Sequence, residues 1–191
     1  MKGSLKMSDK IDYSFLIKME GGSKTNGYIP AAKVSKSGVT IGTGFDLGQR
    51  NESDLKKLRL SSKLIATLKP YLGKKAKDAQ DALNKTPLKI TTAQAADIDK
   101  AVKKPHVDLI TRKYNSVAKN GKRFTDLPAE AQTVIASISY QYGAELNVSA
   151  PKFWEAAKSQ DWSKCIKELN NFGDVYPTRR KKEAALLEKI K

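Results

Sequence analysis

Two acidic side chains near the start of the sequence have neighbours that suit acid–base chemistry. The first, Glu20, lies where a short helix must end, because Gly21 and Gly22 follow it directly. A carboxylate at a helix C-terminus faces the negative end of the helix dipole, which favours its protonated form. A carboxyl group that stays protonated near neutral pH can act as a general acid. The alternative is an ordinary exposed Glu before a capping glycine, and Glu20 alone does not decide between the two.

The second acidic residue, Asp46, belongs to a glycine-rich run from Gly38 to Gln49 with the sequence GVTIGTGFDLGQ. Glycines recur in this run at near-alternating positions among small hydroxyl residues. Such spacing predicts a strand with one bare face, against which a bulky ligand can lie close to the backbone. The same run is compatible with a tight hairpin that binds nothing.

Cysteine and histidine are too scarce for most other chemistries. The 191 residues contain one cysteine, Cys165, and one histidine, His106. Disulfides, thiolate metal sites, multi-histidine zinc sites and a histidine-dependent triad are thereby excluded. We expect Cys165 to be a buried, inert thiol. Catalysis in this chain must therefore rely on carboxylates.

The chain is strongly basic. Lys and Arg total 36 against 20 for Asp and Glu, which gives a formal charge of +16 and predicts attraction to nucleic acid, anionic lipid or bacterial cell wall. The lysines are scattered, as on a solvated face, so charge alone selects no partner. No apolar run is long enough to cross a bilayer, and the first residues lack the apolar segment of a secretory signal. We expect neither membrane insertion nor a cleavable signal.

The hydrophobic pattern predicts the elements that must position Glu20 and Asp46. Ile11, Phe15 and Met19 form the apolar stripe of a first helix, which Ser8 can cap. Residues 23–49 carry the only β-forming pattern. Five to seven helices follow, and their candidate first residues or caps are Asn51, Ser61 or Ser62, Thr91, Thr125 or Asp126, and Thr178.

Two of these helices have features of their own. The helix after Thr91 is predicted to reach about Val117, with a break or kink near Pro105. The helix from Thr125 or Asp126 to Gly143 is the most hydrophobic and is predicted to be the central core helix. Together the pattern predicts one α+β domain over residues 1–191, mostly helical. It has a small lobe over 1–60 with the first helix and the β region, a helical lobe over 61–191, and a cleft between them.

The order of these motifs resembles the phage-type lysozymes of glycoside hydrolase family 24. A Glu at the end of the first helix is followed about twenty residues later by the strand Thr40-Ile41-Gly42-Thr43-Gly44. The full run to Gln49 is closer still to the lysozyme-like domain of pesticin-type bacterial toxins. Further along, residues 139–143 (SYQYG) are similar to the aromatic-Gln-X-Gly that lines the family's sugar cleft. Residues 177–179 (PTR) are similar to the Pro-X-Arg at the start of the last helix.

The resemblance implies a muramidase that hydrolyses the β-1,4 bond between N-acetylmuramic acid and N-acetylglucosamine with inversion, without a metal or cofactor. Glu20 would protonate the departing oxygen, and Asp46 and Thr40 would hold and activate the attacking water. Arg179 would orient Glu20. Inverting enzymes separate the two carboxyl groups by roughly 6.5 to 9.5 Å to admit that water. The residues that the resemblance implies at the substrate are Tyr28, Gly44, Phe45, Gln49, Tyr140 and Gln141.

The chain departs from the phage lysozymes in one respect. Their catalytic Asp precedes the Thr, whereas no acidic residue lies between Gly27 and Thr40 here. Asp46 follows Thr40, which is the order in pesticin-like domains. Asp46 can instead be a helix cap or a turn residue, and this alternative stays open.

Two other functions stay open beside the muramidase. A basic nucleic-acid-binding helical module is favoured by the charge, although no helix has a concentrated Arg/Lys face with interleaved aromatics. A lysozyme-like domain that only binds glycan is the other. The partner implied by the resemblance is peptidoglycan, not nucleic acid, and we expect a monomer. As an endolysin or antibacterial toxin, the chain would be made in the cytoplasm and act in the periplasm or cell wall after delivery by a holin or secretion system. A toxin would also imply a cognate immunity protein.

Overall fold

The computed structural model describes residues 9–30, 37–118 and 121–190. Three strands form one antiparallel sheet in the order β1-β2-β3, and they are β1 (Lys24–Tyr28), β2 (Thr40–Gly42) and β3 (Phe45–Asp46). The α-helices in these ranges are α1 (Tyr13–Met19), α2 (Glu52–Lys57), α3 (Ser62–Leu68), α4 (Ala76–Lys85), α5 (Thr92–Val117), α6 (Ala129–Tyr142), α7 (Leu146–Ser149), α8 (Pro151–Lys158), α9 (Trp162–Asn170) and α10 (Pro177–Leu187). The predicted α+β class, mostly helical with one small sheet, is confirmed.

The chain divides into two compact units. The sheet unit comprises residues 20–104, and the helical unit comprises residues 1–19 and 105–191. This division differs from the predicted boundary at residue 60, because α1 belongs to the helical unit while α3 and α4 belong to the sheet unit. The physical reason is a shared core, in which Leu64 and Ala79 of these helices are buried with Ile41 of β2.

The sheet unit is built on local signals that the sequence carries. Asn51 caps α2 in a capping box with Asp54, and the Ser61 hydroxyl caps α3, both as predicted. Ile41 and Phe45, which are partners across β2 and β3, both lie in the core of the unit. Because side chains alternate along a strand, the neighbouring partners Thr40 and Asp46 lie on the opposite face of the sheet.

The long helix α5 spans the boundary between the units, which falls between Lys104 and Pro105. Thr91 and Gln94 form the predicted capping box: Thr91 N donates to Gln94 Oε1 at 2.9 Å, and Gln94 N donates to Thr91 Oγ1 at 3.1 Å. The helix continues through Pro105, so no break occurs there, and the alternative of a kink at Pro105 stays a prediction.

The helical unit surrounds α6. Every residue of α6 from Ala131 to Ser139 is buried, which confirms the predicted central core helix. Its predicted start at Thr125 or Asp126 is wrong, because the helix begins at Ala129 with Pro128 as its N-cap. Proline disfavours helical geometry in the residue before it, and Phe124–Asp126 form a separate 3₁₀ turn.

The two ends of the chain differ slightly from expectation. The last helix begins at Pro177, with Tyr176 at the N-cap, one residue before the predicted cap Thr178. The predicted cap Ser8 lies outside the described residues. Cys165 is buried as predicted, and burial raises the pKa of its thiol to about 12. In the part of the chain that the structure describes, no helix is both long and apolar enough to cross a membrane.

Candidate active site

Glu20 directly follows the last residue of α1, at the position predicted from the two glycines. Its carboxylate forms an ion pair with the ammonium group of Lys103 on α5. The two side chains differ in exposure, at 28% for Glu20 and 6% for Lys103. A nearly buried cation therefore holds a carboxylate that keeps part of its surface free. Lys103 was not among the site residues predicted from the sequence.

One face of α5 also fixes the turn between β2 and β3. Asp99 precedes Lys103 by four residues, and residues at this spacing lie on the same face of a helix. Its Oδ1 atom accepts hydrogen bonds from Thr43 N at 2.8 Å and Thr43 Oγ1 at 2.9 Å. Asp99 is buried, and no hydrogen bond within the described residues reaches its Oδ2 atom. The same helix face thus positions both Glu20 and the β2–β3 turn.

Three of the predicted site residues line up across the sheet. Tyr28 of β1 is the register partner of Thr40 on β2, and Thr40 is the partner of Asp46 on β3. Directly opposed residues of antiparallel strands place their side chains on the same face, with Cβ atoms roughly 4.5 to 5.5 Å apart. The sheet therefore brings Tyr28, Thr40 and Asp46 into one cross-strand row.

Asp46 also serves as a helix cap, which is the alternative role that the sequence left open. Its side chain caps the 3₁₀ helix Leu47–Gln49, because Oδ1 accepts from Gly48 N at 2.8 Å. The same Oδ1 accepts from Gly38 N at 3.1 Å. Within the described residues, no hydrogen bond engages Oδ2. One carboxylate oxygen is thus committed to the fold, and the other is available to a water molecule.

Thr40 is buried, and its hydroxyl donates to the Gly38 carbonyl at 3.3 Å. A threonine hydroxyl oxygen can also accept hydrogen bonds, and Thr40 is the strand partner of Asp46.

Three of the four glycines between Gly38 and Gln49 are required by packing inside the unit, which the prediction of a strand with one bare face did not anticipate. Gly42 has φ +62°, and a Cβ added there would lie 2.5 Å from Asp99 Oδ1. A Cβ on Gly48 would lie 2.6 Å from the Lys74 carbonyl oxygen, and Gly38 is packed against Gly48. Only at Gly44 does an added Cβ meet open space. Of these four positions, Gly44 alone fits the predicted approach of a ligand to bare backbone.

The remaining predicted residues of the sheet unit are placed as follows. Phe45 is buried in the core, with the Arg50 guanidinium 5.2 Å from its ring centroid. Gln49 is exposed and accepts a hydrogen bond from Lys75 Nζ at 3.2 Å. Tyr28 is partly buried, with Lys24 Nζ 5.3 Å from its ring centroid. A ligand could therefore contact the side chains of Tyr28 and Gln49. The side chain of Phe45 is buried, so a ligand would contact mainly its backbone.

The predicted residues at the end of α6 lie in the helical unit. The Tyr140 ring packs on His106, with centroids 4.4 Å apart. Gln141 accepts a hydrogen bond from the Arg180 guanidinium. Both side chains are partly buried. The two residues are thus held in place within their own unit.

A buried ionic network lies at the start of α10. Arg180, at 2% exposure, contacts Glu183, at 0%, and also donates from Nε to Asp174 Oδ2 at 3.0 Å. Arg179 donates from Nε to Glu183 Oε1 at 3.1 Å and from Nη2 to the Ser137 carbonyl at 3.0 Å. The predicted pairing of Arg179 with Glu20 joins residues of different units and stays a prediction.

Burial and charge move the pKa values of this network in opposite directions. Burial raises the pKa of Glu183 despite the two adjacent guanidinium groups. Burial also acts to raise the pKa of Asp174, but hydrogen bonds from Tyr142 and the Tyr176 backbone, together with Arg180, outweigh it and lower that pKa. Burial and the bond to Asp174 raise the pKa of Tyr142 to about 12. These groups bind one another and serve mainly to hold the helices together.

The described residues contain no group of three or more His, Cys, Asp or Glu side chains that could hold a metal ion. The acid–base groups at the candidate site are two carboxylates, Glu20 and Asp46, and the Thr40 hydroxyl group. Glu20, Asp46 and Thr40 all belong to the sheet unit.

The fold and the family comparison indicate the same class of protein. A mostly helical α+β chain with a small antiparallel sheet and a Glu at the end of the first helix has a lysozyme-like fold. The family model described as "Pesticin: Bacterial toxin homologue of phage lysozyme, C-term" matches residues 10–163. The chain therefore belongs to the pesticin family of bacterial toxin domains homologous to phage lysozyme. No curated protein matches the chain. The matched range contains Glu20, Thr40 and Asp46 and ends before α10.

Proposed function

We propose that this chain is a muramidase that hydrolyses the β-1,4 bond between N-acetylmuramic acid and N-acetylglucosamine in peptidoglycan, with inversion at the anomeric carbon. The observation that carries the proposal is the make-up of the sheet unit. It contains a partly exposed carboxylate held by a buried lysine, and a row of Tyr28, Thr40 and Asp46 across the strands. These are the groups that an acid-and-base hydrolysis of a glycoside needs.

In the proposed reaction, Glu20 gives its proton to the glycosidic oxygen as the bond from that oxygen to the anomeric carbon breaks. A water molecule attacks the same carbon from the opposite face, and its proton passes to Asp46. The free Oδ2 of Asp46 suits the base, because Oδ1 is fixed by two backbone N–H groups. Thr40, the strand partner of Asp46, would orient the water.

Lys103 would act on Glu20 in two ways. Its ammonium would fix the carboxyl group in one position, which is the role that the resemblance implied for Arg179. It also stabilises the negative charge that Glu20 acquires when the proton leaves.

One observation favours a second function, glycan binding without hydrolysis. The Asp46 side chain caps the 3₁₀ helix through Gly48 N and also accepts from Gly38 N, and these two bonds are a sufficient structural reason for a carboxylate at this position. A domain that kept the fold and lost the chemistry would retain this cap. The hydrolysis experiment below distinguishes the two functions.

The experiment is digestion of purified Gram-negative sacculi. We expect soluble muropeptides whose N-acetylmuramic acid ends are reduced by borohydride, detected by mass spectrometry, and an initial α-anomer detected by NMR. Glu20→Gln should lower the rate at least about 10³-fold, because the amide cannot supply the proton. Glu145→Gln is the matched control, since Glu145 is an exposed carboxylate paired with a lysine in the helical unit. Hydrolysis by Glu20→Gln near the parent rate would remove Glu20 from its role, and no hydrolysis by the parent would favour the glycan-binding function.

The family favours a toxin as the biological context. An antibacterial toxin of this kind would act in the periplasm or cell wall of a target cell after delivery, and a cognate immunity protein would protect the producer. An endolysin released through a holin is the alternative. The formal charge of +16 would draw either protein to anionic wall polymers in a salt-sensitive manner.

A further inference from the structure

Asp99 is a second buried charge on the face of α5 that carries Lys103. It precedes Lys103 by four residues, and both are almost fully buried. Residues at this spacing are neighbours on a helix surface, with Cβ atoms about 5 to 6 Å apart, and an acid that precedes a base in this way attracts it. Because Lys103 also pairs with Glu20, one ammonium group lies close to two carboxylates. We call Glu20, Asp99 and Lys103 the α5 charge cluster, and all three belong to the sheet unit.

The charges of the α5 charge cluster do not balance when both of its carboxylates are ionised. Two negative charges then face one positive charge in a mostly buried region. Burial disfavours an uncompensated charge. A single proton on either carboxylate makes the cluster neutral, so the surroundings of the two acids decide where that proton resides.

The surroundings of the two carboxylates favour the proton on Glu20. Asp99 Oδ1 accepts from Thr43 N and from Thr43 Oγ1, and such bonds favour an ionised carboxylate. Its Oδ2 atom is buried and has no hydrogen-bond partner in the described part of the chain, so charge compensation on that side falls to the neighbouring Lys103. Glu20 keeps 28% of its side-chain surface and can exchange a proton with solvent. The negative charge therefore belongs on Asp99.

Glu52, in the same unit, shows what lysine contacts do to a glutamate when cations outnumber carboxylates. Its carboxylate pairs with Lys56 at 2.8 Å and with Lys69 at 2.9 Å. Hydrogen bonds from these two lysines lower the pKa of Glu52 to about 2. Such a group is ionised near neutral pH and cannot act as a general acid there. A lysine beside Glu20 acts in the same direction unless a second acid balances its charge.

We propose that Asp99 is a positioning residue that keeps the proton on Glu20 by balancing the charge of Lys103. Asp99 acts through Lys103 and not on the substrate. Lys103 can then hold the Glu20 carboxyl group in place without removing its proton before the reaction. This role rests on the proposed function, because the proton is the one that Glu20 would donate to the glycosidic oxygen.

Three further titratable groups lie near the α5 charge cluster. Two are on α5 within one turn of Lys103, and one is on β1, as the register partner of the glycine that packs against Asp99. They are the exposed Lys100, His106 and Lys24. All three are unchanged in the variants used below, so a difference between parent and variant reports the charge of Asp99.

The test is a carbon-13 NMR titration of the full chain with labelled side-chain carboxyl groups, in which Glu20→Gln assigns the Glu20 signal. In the parent, Asp99 should stay ionised down to about pH 4 while Glu20 titrates above it. Asp99→Asn keeps an acceptor for Thr43 but removes the charge, and should lower the midpoint of the Glu20 titration by about one pH unit. Asp97→Asn, at an exposed position of the same helix, is the matched control and should move that midpoint by less than about 0.3 pH unit.

Hydrolysis of sacculi should show the same displacement. In Asp99→Asn the alkaline limb of the pH–rate profile should move about one pH unit lower, and at pH values below the limb the rate should stay within about twofold of the parent. A distorted hairpin would instead lower the rate at every pH. Thr43→Val removes one hydrogen bond to Asp99 without removing the charge, and its limb should stay close to that of the parent.

An unchanged Glu20 midpoint in Asp99→Asn, or equal shifts in Asp99→Asn and Asp97→Asn, would overturn the role of Asp99. A parent protein in which Asp99 takes up the proton in place of Glu20 would also overturn it, and that measurement needs no variant to fold. If the midpoint moves as expected while sacculi are not hydrolysed, Asp99 positions the proton and the muramidase is wrong. If sacculi are hydrolysed while the midpoint does not move, the muramidase stands and the role of Asp99 is wrong.

Discussion

The sheet unit and the helical unit use charged side chains in different ways. In the helical unit, Arg180 and Glu183 are almost fully buried and contact each other as well as Asp174, Ser137 and Gln141. In the sheet unit, Glu20 keeps 28% of its side-chain surface and pairs with one lysine. Asp46 commits a single oxygen to the backbone. A saturated network stabilises a fold, whereas an incompletely paired carboxylate can still act on a ligand. We therefore expect substitutions in the helical unit to change stability and substitutions in the sheet unit to change activity.

The largest effect should come from the helical unit. Arg180→Met removes a guanidinium that both Glu183 and Asp174 contact and leaves the buried Glu183 carboxylate less well compensated, so we expect a loss of about 3 to 5 kcal/mol in the free energy of unfolding. Urea unfolding monitored by circular dichroism measures it. Lys113→Met breaks a more exposed pair with Glu145 and should cost under about 1 kcal/mol. Equal losses in the two variants would end the distinction between a saturated network and a surface pair.

Asp46→Asn tests the proposed base without removing the cap. Asparagine keeps an acceptor oxygen and is as good an N-cap as aspartate, so the thermal stability should be nearly unchanged. The amide cannot take a proton from water, and the hydrolysis rate should fall about 10²-fold. Release of soluble muropeptides from sacculi measures the rate.

Asp54→Asn is the matched control for this variant. Asp54 also belongs to a capping box in the sheet unit, and its substitution should leave hydrolysis unaffected. Activity near the parent level in Asp46→Asn would show that Asp46 is a cap and nothing more.

Lys103→Met should have a smaller effect on activity and little on stability. The substitution fills the same space, leaves the partly exposed Glu20 solvated, and removes the charge that fixes its carboxylate. We expect kcat to fall about tenfold with KM almost unchanged, because the substrate is not held by Lys103. Lys103→Arg should restore most of the rate, which a purely structural role in packing would not predict. A fall in stability as large as that of Arg180→Met would place Lys103 with the saturated network.

The elements of the fold were predictable where their signals are local. Asn51 with Asp54 and Thr91 with Gln94 cap helices over three residues, and the two glycines after Glu20 end α1. The start of α6 was misplaced because the effect of Pro128 on the residue before it was overlooked. The boundary between the units lies inside a continuous helix, where no composition change marks it.

The candidate site was predictable only in part. Glu20, Thr40 and Asp46 were found from their spacing and from the resemblance, and the register of the sheet brings the last two together. Lys103 and Asp99 were missed, because they contact Glu20 and Thr43 across 83 and 56 residues of sequence. Their one sequence signal is a pair of opposite charges four residues apart on α5, which also occurs on many solvated helix faces. The glycines of the run were noted correctly as a pattern, but only the tertiary contacts show that three of them serve internal packing.

The smallest expected effect is a dependence of stability on pH that arises in the helical unit. The pKa of Asp174 is lowered in the folded state, so its ionised form contributes stability above about pH 4, which is lost as the pH falls through the folded value. The melting temperature measured from pH 6 to pH 3 should therefore fall less steeply in Asp174→Asn than in the parent. Asp81→Asn, at an exposed position on α4, should follow the parent curve. An identical slope in Asp174→Asn and the parent would mean that the partners of Asp174 do not stabilise its charge, and the contrast between the units would then rest on Arg180 and Glu183 alone.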